Sequence, residues 1–147
     1  MIFLRPSNKN ELAIFDGMDR QDHARSFVIQ TGIEVHQKNF FDPRTFYLSI
    51  ENCSAEFCGY FILVLDPDTE SVEFRRILID QKQRGIGQTA IVEMENYCKN
   101  ELGVKRIWLD VYEDNAIGIH IYEKMGYARF KEERAEGRRL YLYEKAL

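Results

Sequence analysis

The apolar positions of this chain change their spacing along its length, and each change predicts a different element. A short apolar run, Ile2–Leu4, predicts an edge strand. Leu12, Phe15 and Met18 then follow helical spacing after a polar start, which predicts a helix. Residues 21–41 are interpreted as one or two further helical pieces.

Aromatic and β-branched residues dominate residues 45–79 and predict three strands. Thr45–Ile50 is rich in both types, whereas Gly59–Leu65 is almost wholly apolar, as in a central strand buried on both faces. Val72–Ile79 is the third strand. Asp66-Pro67-Asp68 has the composition of a turn. We therefore expect these strands to form an antiparallel meander.

The second half of the chain alternates helices and strands. Apolar residues repeat along Gly87–Glu101 at the spacing of one helix face. Ile107–Val111 predicts a buried strand, and Ala116–Met125 predicts a helix that ends at a glycine. Tyr127–Lys131 and Leu140–Glu144 predict a final hairpin. The fold class predicted by this order is α/β, with a mixed central sheet flanked by helices.

Composition narrows the class of protein. The 147 residues are 45% hydrophobic and 30% charged, which is typical of one globular domain, and we assign residues 1–147 to it. The net charge of −4 argues against a nucleic-acid partner. The three cysteines have no CxxC spacing and the three histidines no metal-ligand spacing, so we expect reduced thiols and no metal. No long apolar segment or signal peptide is recognised, and we expect a cytoplasmic protein without a membrane partner.

The most informative stretch runs from Lys82 to Gly87, between a predicted strand and a predicted helix. Backbone N–H groups at a helix start are unpaired and bind anions, and glycines let the backbone approach a ligand closely. A Walker-A loop is excluded because no Lys-Ser/Thr follows either glycine. A dinucleotide fingerprint is matched by Gly85, Gly87 and Ala90, but five residues separate it from the strand. Alternatively, the glycines only shape a tight turn.

Two motifs resemble those of the GNAT superfamily of acyl-CoA-dependent N-acetyltransferases. The loop is similar to its pyrophosphate motif [Q/R]xxGxG/A, with Lys82 where Gln or Arg is usual. The segment 108–127 is similar to LxVxxxNxxAxxxYxxxGF, with Gly118 in place of Ala and Tyr127 in place of Phe. The resemblance implies a GNAT fold with a mixed sheet of about six or seven mostly antiparallel strands, and it points to the branch of ribosomal-protein and polyamine acetyltransferases.

The resemblance also implies an activity. A GNAT enzyme transfers an acetyl group from acetyl-CoA, its cosubstrate, to a primary amine by direct attack on the thioester. The acceptor can be a protein N-terminus, a polyamine, an aminoglycoside, an amino sugar or an amino acid. A homodimer is expected by analogy. One alternative is a non-catalytic, acyl-CoA-binding regulatory module, and a dinucleotide-dependent oxidoreductase is a weaker one.

The resemblance further implies which residues bind the cofactor. Residues 77–79 would follow the pantetheine arm at a splay in the sheet, and an N–H there, most simply that of Leu78, would polarise the thioester carbonyl. The loop would hold the pyrophosphate, and Asn115 would contact the cofactor, cap a helix, or both. The predicted cofactor-binding residues are Ile77, Leu78, Ile79, Gln83, Arg84, Gly85, Ile86, Gly87, Gln88, Thr89 and Asn115.

Three residues are candidates for catalysis. Tyr122 matches the family tyrosine that protonates the departing thiolate, although a tyrosine on an amphipathic helix is also common in a core. Glu73 and Asp110 match positions where family members carry a proton acceptor. The alternative for both carboxylates is an ion pair with a neighbouring arginine, such as Arg75 or Arg76.

Overall fold

The computed structural model describes residues 1–21, 24, 32–80, 83 and 85–147, and its centre is one seven-stranded sheet. The strands are β1 (Ile2–Pro6), β2 (Thr45–Asn52), β3 (Phe57–Leu65), β4 (Ser71–Ile79), β5 (Arg106–Tyr112), β6 (Ala128–Ala135) and β7 (Arg138–Ala146). The described helices are a 3₁₀ turn (Lys9–Glu11), α1 (Leu12–Asp19), α2 (Ile33–Phe40), α3 (Gly87–Asn100) and α4 (Ala116–Lys124).

The strand order is β1-β2-β3-β4-β5-β7-β6, and every neighbouring pair except β4–β5 is antiparallel. The predicted α/β class, the meander and the mostly antiparallel sheet are therefore confirmed. Most strands extend one to several residues beyond the predicted bounds, since ladder pairing continues past the apolar pattern, whereas β6 begins one residue later than predicted, at Ala128. In the final hairpin, Glu136 and Gly137 both have positive φ, which a two-residue turn requires.

The sheet opens between β4 and β5. These two strands pair only from Ser71 opposite Arg106 to Glu73 opposite Trp108. Beyond that point β4 continues with β3 alone, after a bulge at Arg75, and β5 continues with β7. Because both strands run in the same direction, their carboxyl-terminal halves diverge and leave a cleft in the middle of the sheet.

Helices cover the sheet on both faces. On one face the core includes the predicted α3 stripe, whose members Ala90, Ile91, Met94 and Cys98 are buried. On the other face α1 packs Leu12, Phe15 and Met18 against β2 and β3, which confirms the first predicted helix. Within 21–41 the structure shows α2, while residues 22, 23 and 25–31 lie outside the described part. In the described part no helix is long and apolar enough to cross a membrane.

Candidate active site

Two cavities meet where β4 and β5 diverge. One has a volume of about 440 Å³ and is lined largely by charged and polar side chains from α2, β4 and β5; we call it the polar cavity. The other has a volume of about 370 Å³ and is lined mainly by apolar and small residues from β4, α3 and α4; we call it the apolar cleft. Ile77, Asn115 and Tyr122 line both. A substrate in each cavity would therefore meet its partner at these residues.

The start of α3 forms one end of the apolar cleft. No side chain caps this helix, and its first turn contains no acidic residue. Gly85 has a φ of +98° and, like Gly87, has no heavy atom near the position that a Cβ would take. The first-turn N–H groups and the positive end of the helix dipole are therefore suited to an anion such as a diphosphate.

Most of the predicted cofactor-binding residues gather at this cleft. Ile86 is half-buried against the core, Thr89 is exposed in the first turn of α3, and the N–H of Gln83 donates to the Asp80 carbonyl at 2.8 Å. Arg84 and Lys82 lie outside the described residues. The predicted residues that line the cleft are Ile77, Leu78, Ile79, Gly85, Gly87, Gln88 and Asn115.

The β3–β4 ladder decides which backbone groups of β4 face the opening. Asp80 donates its N–H to the Cys58 carbonyl at 2.8 Å, so this pair is hydrogen-bonded. In an antiparallel ladder, hydrogen-bonded pairs alternate with pairs that are not hydrogen-bonded. Leu78 lies two residues before Asp80 and opposite Tyr60, so the N–H of Leu78 points to Tyr60. The N–H of Ile77 points the other way, toward β5. This geometry favours Ile77 over Leu78 as the donor to a thioester in the cleft.

Asn115 lies between the two cavities and caps α4. Its Oδ1 accepts a hydrogen bond from the N–H of Gly118 at 3.0 Å, which confirms the predicted capping role. A Cβ on Gly118 would lie 2.7 Å from Asn115 Nδ2. The glycine that replaces the family alanine therefore leaves room for this side chain.

Tyr122 packs at the junction of the cavities. Its ring makes edge contacts with Phe74 and Tyr127, with centroid distances of 5.9 and 6.0 Å. Burial, and secondarily the charge of Asp110, raises the pKa of Tyr122 to about 12. The phenol is therefore a protonated hydrogen-bond donor at neutral pH.

The two candidate carboxylates differ in their partners. Glu73 binds Arg75 through two contacts, of 2.8 and 3.3 Å, so the ion-pair alternative holds for it. Asp110 has no hydrogen-bond or ion-pair partner among the described residues, although it lines the polar cavity. Desolvation by the cavity walls, followed by the charge of Glu73, raises the pKa of Asp110. Asp110 is therefore the carboxylate suited to take up a proton.

Sequence reasoning missed several residues of the polar cavity. Arg76 lines it beside Arg75, and α2 contributes His36 and Asn39. Behind Arg76 lies Asp19, which is fully buried. The sequence carries a signal only for His36, whose spacing places it on the inward face of its helix. The others have none, because contacts between α1, α2 and β4 join residues far apart in the chain.

Comparisons with known proteins agree with this geometry. The acetyltransferase (GNAT) family matches residues 14–127 of the chain. Among solved structures, spermidine N-acetyltransferase from Vibrio cholerae in complex with CoA and spermine is similar, with a TM-score of 0.84, 17% identity and coverage of 99% of this chain and 95% of that one. The N152L mutant of the V. cholerae enzyme has a TM-score of 0.83, 17% identity and coverage of 99% and 93%. No curated protein sequence matches significantly.

The chain thus belongs to the acetyltransferase (GNAT) family, while the likeness to the V. cholerae structures shows the shared fold. It is an acetyl-CoA-dependent N-acetyltransferase: it transfers the acetyl group of acetyl-CoA, its cosubstrate, to an amine. The non-catalytic alternative is not favoured.

Proposed function

We propose that the acceptor is the primary amine of a linear polycation and that Asp110 takes up its proton. The observation that carries the proposal is the unpartnered Asp110 carboxylate, with a raised pKa, in the wall of the polar cavity. The charges of Glu73 and, less strongly, of Glu133 raise that pKa further. Tyr112 and Leu140 line the same cavity and suit the methylene groups between the charges.

The chemistry begins with the acceptor nitrogen. An alkylammonium has a pKa of about 10, so it must lose a proton before it can attack a carbonyl at neutral pH. Asp110 accepts that proton, directly or through water. The neutral nitrogen then attacks the thioester carbonyl, whose oxygen accepts a hydrogen bond from the N–H of Ile77. The C–N bond forms as the C–S bond breaks, the sulfur leaves as a thiolate, and the nitrogen releases its second proton to solvent.

Tyr122 supports the departing sulfur by hydrogen bonding. The pKa of Tyr122 is raised to about 12, which is above that of a thiol, about 8.5 for cysteine and somewhat higher for an alkyl thiol. Complete proton transfer from the phenol to the thiolate would therefore be uphill. Donation of a hydrogen bond to the developing charge has no such penalty, and the thiolate can take its proton from solvent afterwards.

The acceptor class has support from the comparisons as well. The similar V. cholerae structures are those of spermidine N-acetyltransferases, one of them with spermine bound. A peptide N-terminus carries one cation and a wide backbone, whereas the polar cavity offers the unpartnered Asp110 carboxylate and the flat, partly apolar walls of Tyr112 and Leu140. We therefore favour a polyamine over a protein N-terminus.

The test compares Asp110→Asn with Glu73→Gln across pH, with spermidine and a peptide as acceptors and released thiol as the signal. The wild-type rate should rise with pH through the raised pKa of Asp110 and then reach a plateau. In Asp110→Asn we expect a rate about 100-fold lower at pH 7, without a plateau, because only amine already neutral in solution reacts.

Glu73→Gln is the matched control and should keep the plateau, since Arg75 already neutralises that carboxylate. A plateau retained by Asp110→Asn, or lost in Glu73→Gln, would contradict the assignment of the base. Faster acetylation of the peptide than of spermidine would contradict the acceptor class.

We also infer that residues 1–147 form one acetyltransferase domain, since β1 and β7, from opposite ends of the chain, belong to the same sheet. The homodimer and the cytoplasmic location remain predictions. Sedimentation of the purified protein tests the first, and cell fractionation tests the second.

A further inference from the structure

A buried polar cluster lies behind the wall of the polar cavity. At its centre the carboxylate of Asp19, at the end of α1, accepts three hydrogen bonds from three different elements. The donors are the Tyr60 hydroxyl, His36 Nε2 at 2.7 Å and Arg76 Nη1 at 3.1 Å. The Tyr47 hydroxyl lies 2.7 Å from the other ring nitrogen of His36. The cluster therefore joins both helices of this face to the sheet.

Arg76 connects this cluster to the cavity. It lines the polar cavity, yet only 12% of its side chain is exposed, and its guanidinium is directed to Asp19. The cation in this cluster is thus the guanidinium itself. Asp16 also has a ligand atom within 4.8 Å of Asp19 and His36, but a metal ion there would have to compete with Arg76 for the same carboxylate.

The charges around the polar cavity show what Asp19 contributes. Among the described residues, the charged groups that line the cavity are two carboxylates and two guanidiniums: Glu73, Asp110, Arg75 and Arg76. With His36, which also lines the cavity, counted as neutral, their formal sum is zero. Asp19 does not line the cavity, but its charge lies 3.1 Å from Arg76 and brings the sum to −1. With Asp19 in place, a cationic acceptor therefore meets a net negative site.

We infer that Asp19 determines the charge selectivity of the acceptor site, although it touches no substrate, by neutralising Arg76 from behind. This inference rests on the proposed function, because it needs an acceptor that carries more than one cation. Asp19 is in these terms a positioning and specificity-determining residue. Its loss should penalise each additional cation of the acceptor, whereas a purely structural role would affect all amines alike.

The test measures kcat/KM for 1,4-diaminobutane and for butylamine, which differ by one ammonium group, in three variants. Loss of one negative charge beside a partly solvated cavity should lower the diamine-to-monoamine ratio about tenfold in Asp19→Asn. Arg76→Gln should raise the ratio. The double variant Asp19→Asn/Arg76→Gln should return it to within twofold of the wild-type value, with the KM for acetyl-CoA unchanged throughout.

Equal losses for both amines in Asp19→Asn, or a double variant that does not restore the ratio, would overturn the inference. If thermal melting shows that Asp19→Asn does not fold, Arg76→Gln decides alone, and a ratio that is unchanged or lower overturns the inference. If the wild type acetylates neither amine, it is the proposed acceptor class that fails. The inference is then decided by calorimetric binding of the same two amines to the CoA-bound protein and variants, with the same expected ratios.

Discussion

The apolar cleft and the polar cavity meet at one junction but are built from different parts of the sequence. The apolar cleft is lined mainly by backbone and small or apolar residues from two regions, 77–91 and 115–122. The polar cavity is lined by charged side chains on strands and helices that are distant in the chain. In the proposed function, backbone geometry therefore governs cofactor binding, and side-chain charge governs binding of the acceptor. A substitution on one side should affect the KM of one substrate and largely spare the other.

The substitution with the largest expected effect is Gly59→Ala, which should disturb the backbone beside the apolar cleft. A Cβ at position 59 would lie 2.2 Å from the carbonyl oxygen of Leu78 and 3.0 Å from the Cα of Ile79, so the end of β4 would have to move. We expect the free energy of unfolding to fall by about 3 kcal/mol and the KM for acetyl-CoA to rise at least tenfold. Urea denaturation and initial rates measure the two effects.

Gly17→Ala is the matched control for Gly59→Ala. It lies in α1, where an added Cβ would have no heavy atom within 4 Å, and alanine in a helix interior is stabilising by up to about 1 kcal/mol. An unchanged KM for acetyl-CoA in a destabilised Gly59→Ala protein would show that the backbone of β4 does not set cofactor binding.

The same difference explains how much the sequence could predict. The apolar cleft depends on local signals: a glycine turn before a helix, and an asparagine seven residues before a tyrosine on one helix face. Each was recognisable, and Asn115 caps α4 as expected. The position of Asp19 against Arg76 depends on how α1 packs over β4, 57 residues away in sequence. No periodicity encodes that contact, and the choice between Glu73 and Asp110 also required the Arg75 ion pair.

Tyr122→Phe tests the junction, where both substrates should be bound normally but react slowly. The ring can keep its contacts with Phe74 and Tyr127, and only the hydroxyl is lost. We expect kcat to fall at least tenfold, while the Kd for acetyl-CoA, measured by calorimetry, changes less than twofold. Tyr97→Phe, on α3 and away from both cavities, controls for the general effect of losing a phenol. A wild-type rate for Tyr122→Phe would remove the hydroxyl from the mechanism.

Gly118→Ala should give the smallest effect, and it tests how the side chain of Asn115 is accommodated in the apolar cleft. The new Cβ would lie 2.7 Å from Asn115 Nδ2, and a side chain can turn away where a backbone cannot. We therefore expect only a three- to fivefold weaker Kd for CoA, with the KM of the amine unchanged. In an Asn115→Ala background the asparagine side chain is gone, so Gly118→Ala should have no further effect on the Kd for CoA. A double-mutant cycle measures this. Additive losses in the two backgrounds would instead mean that Gly118 contacts the cofactor directly, and that the alanine usual at this position in the family does not suit this cleft.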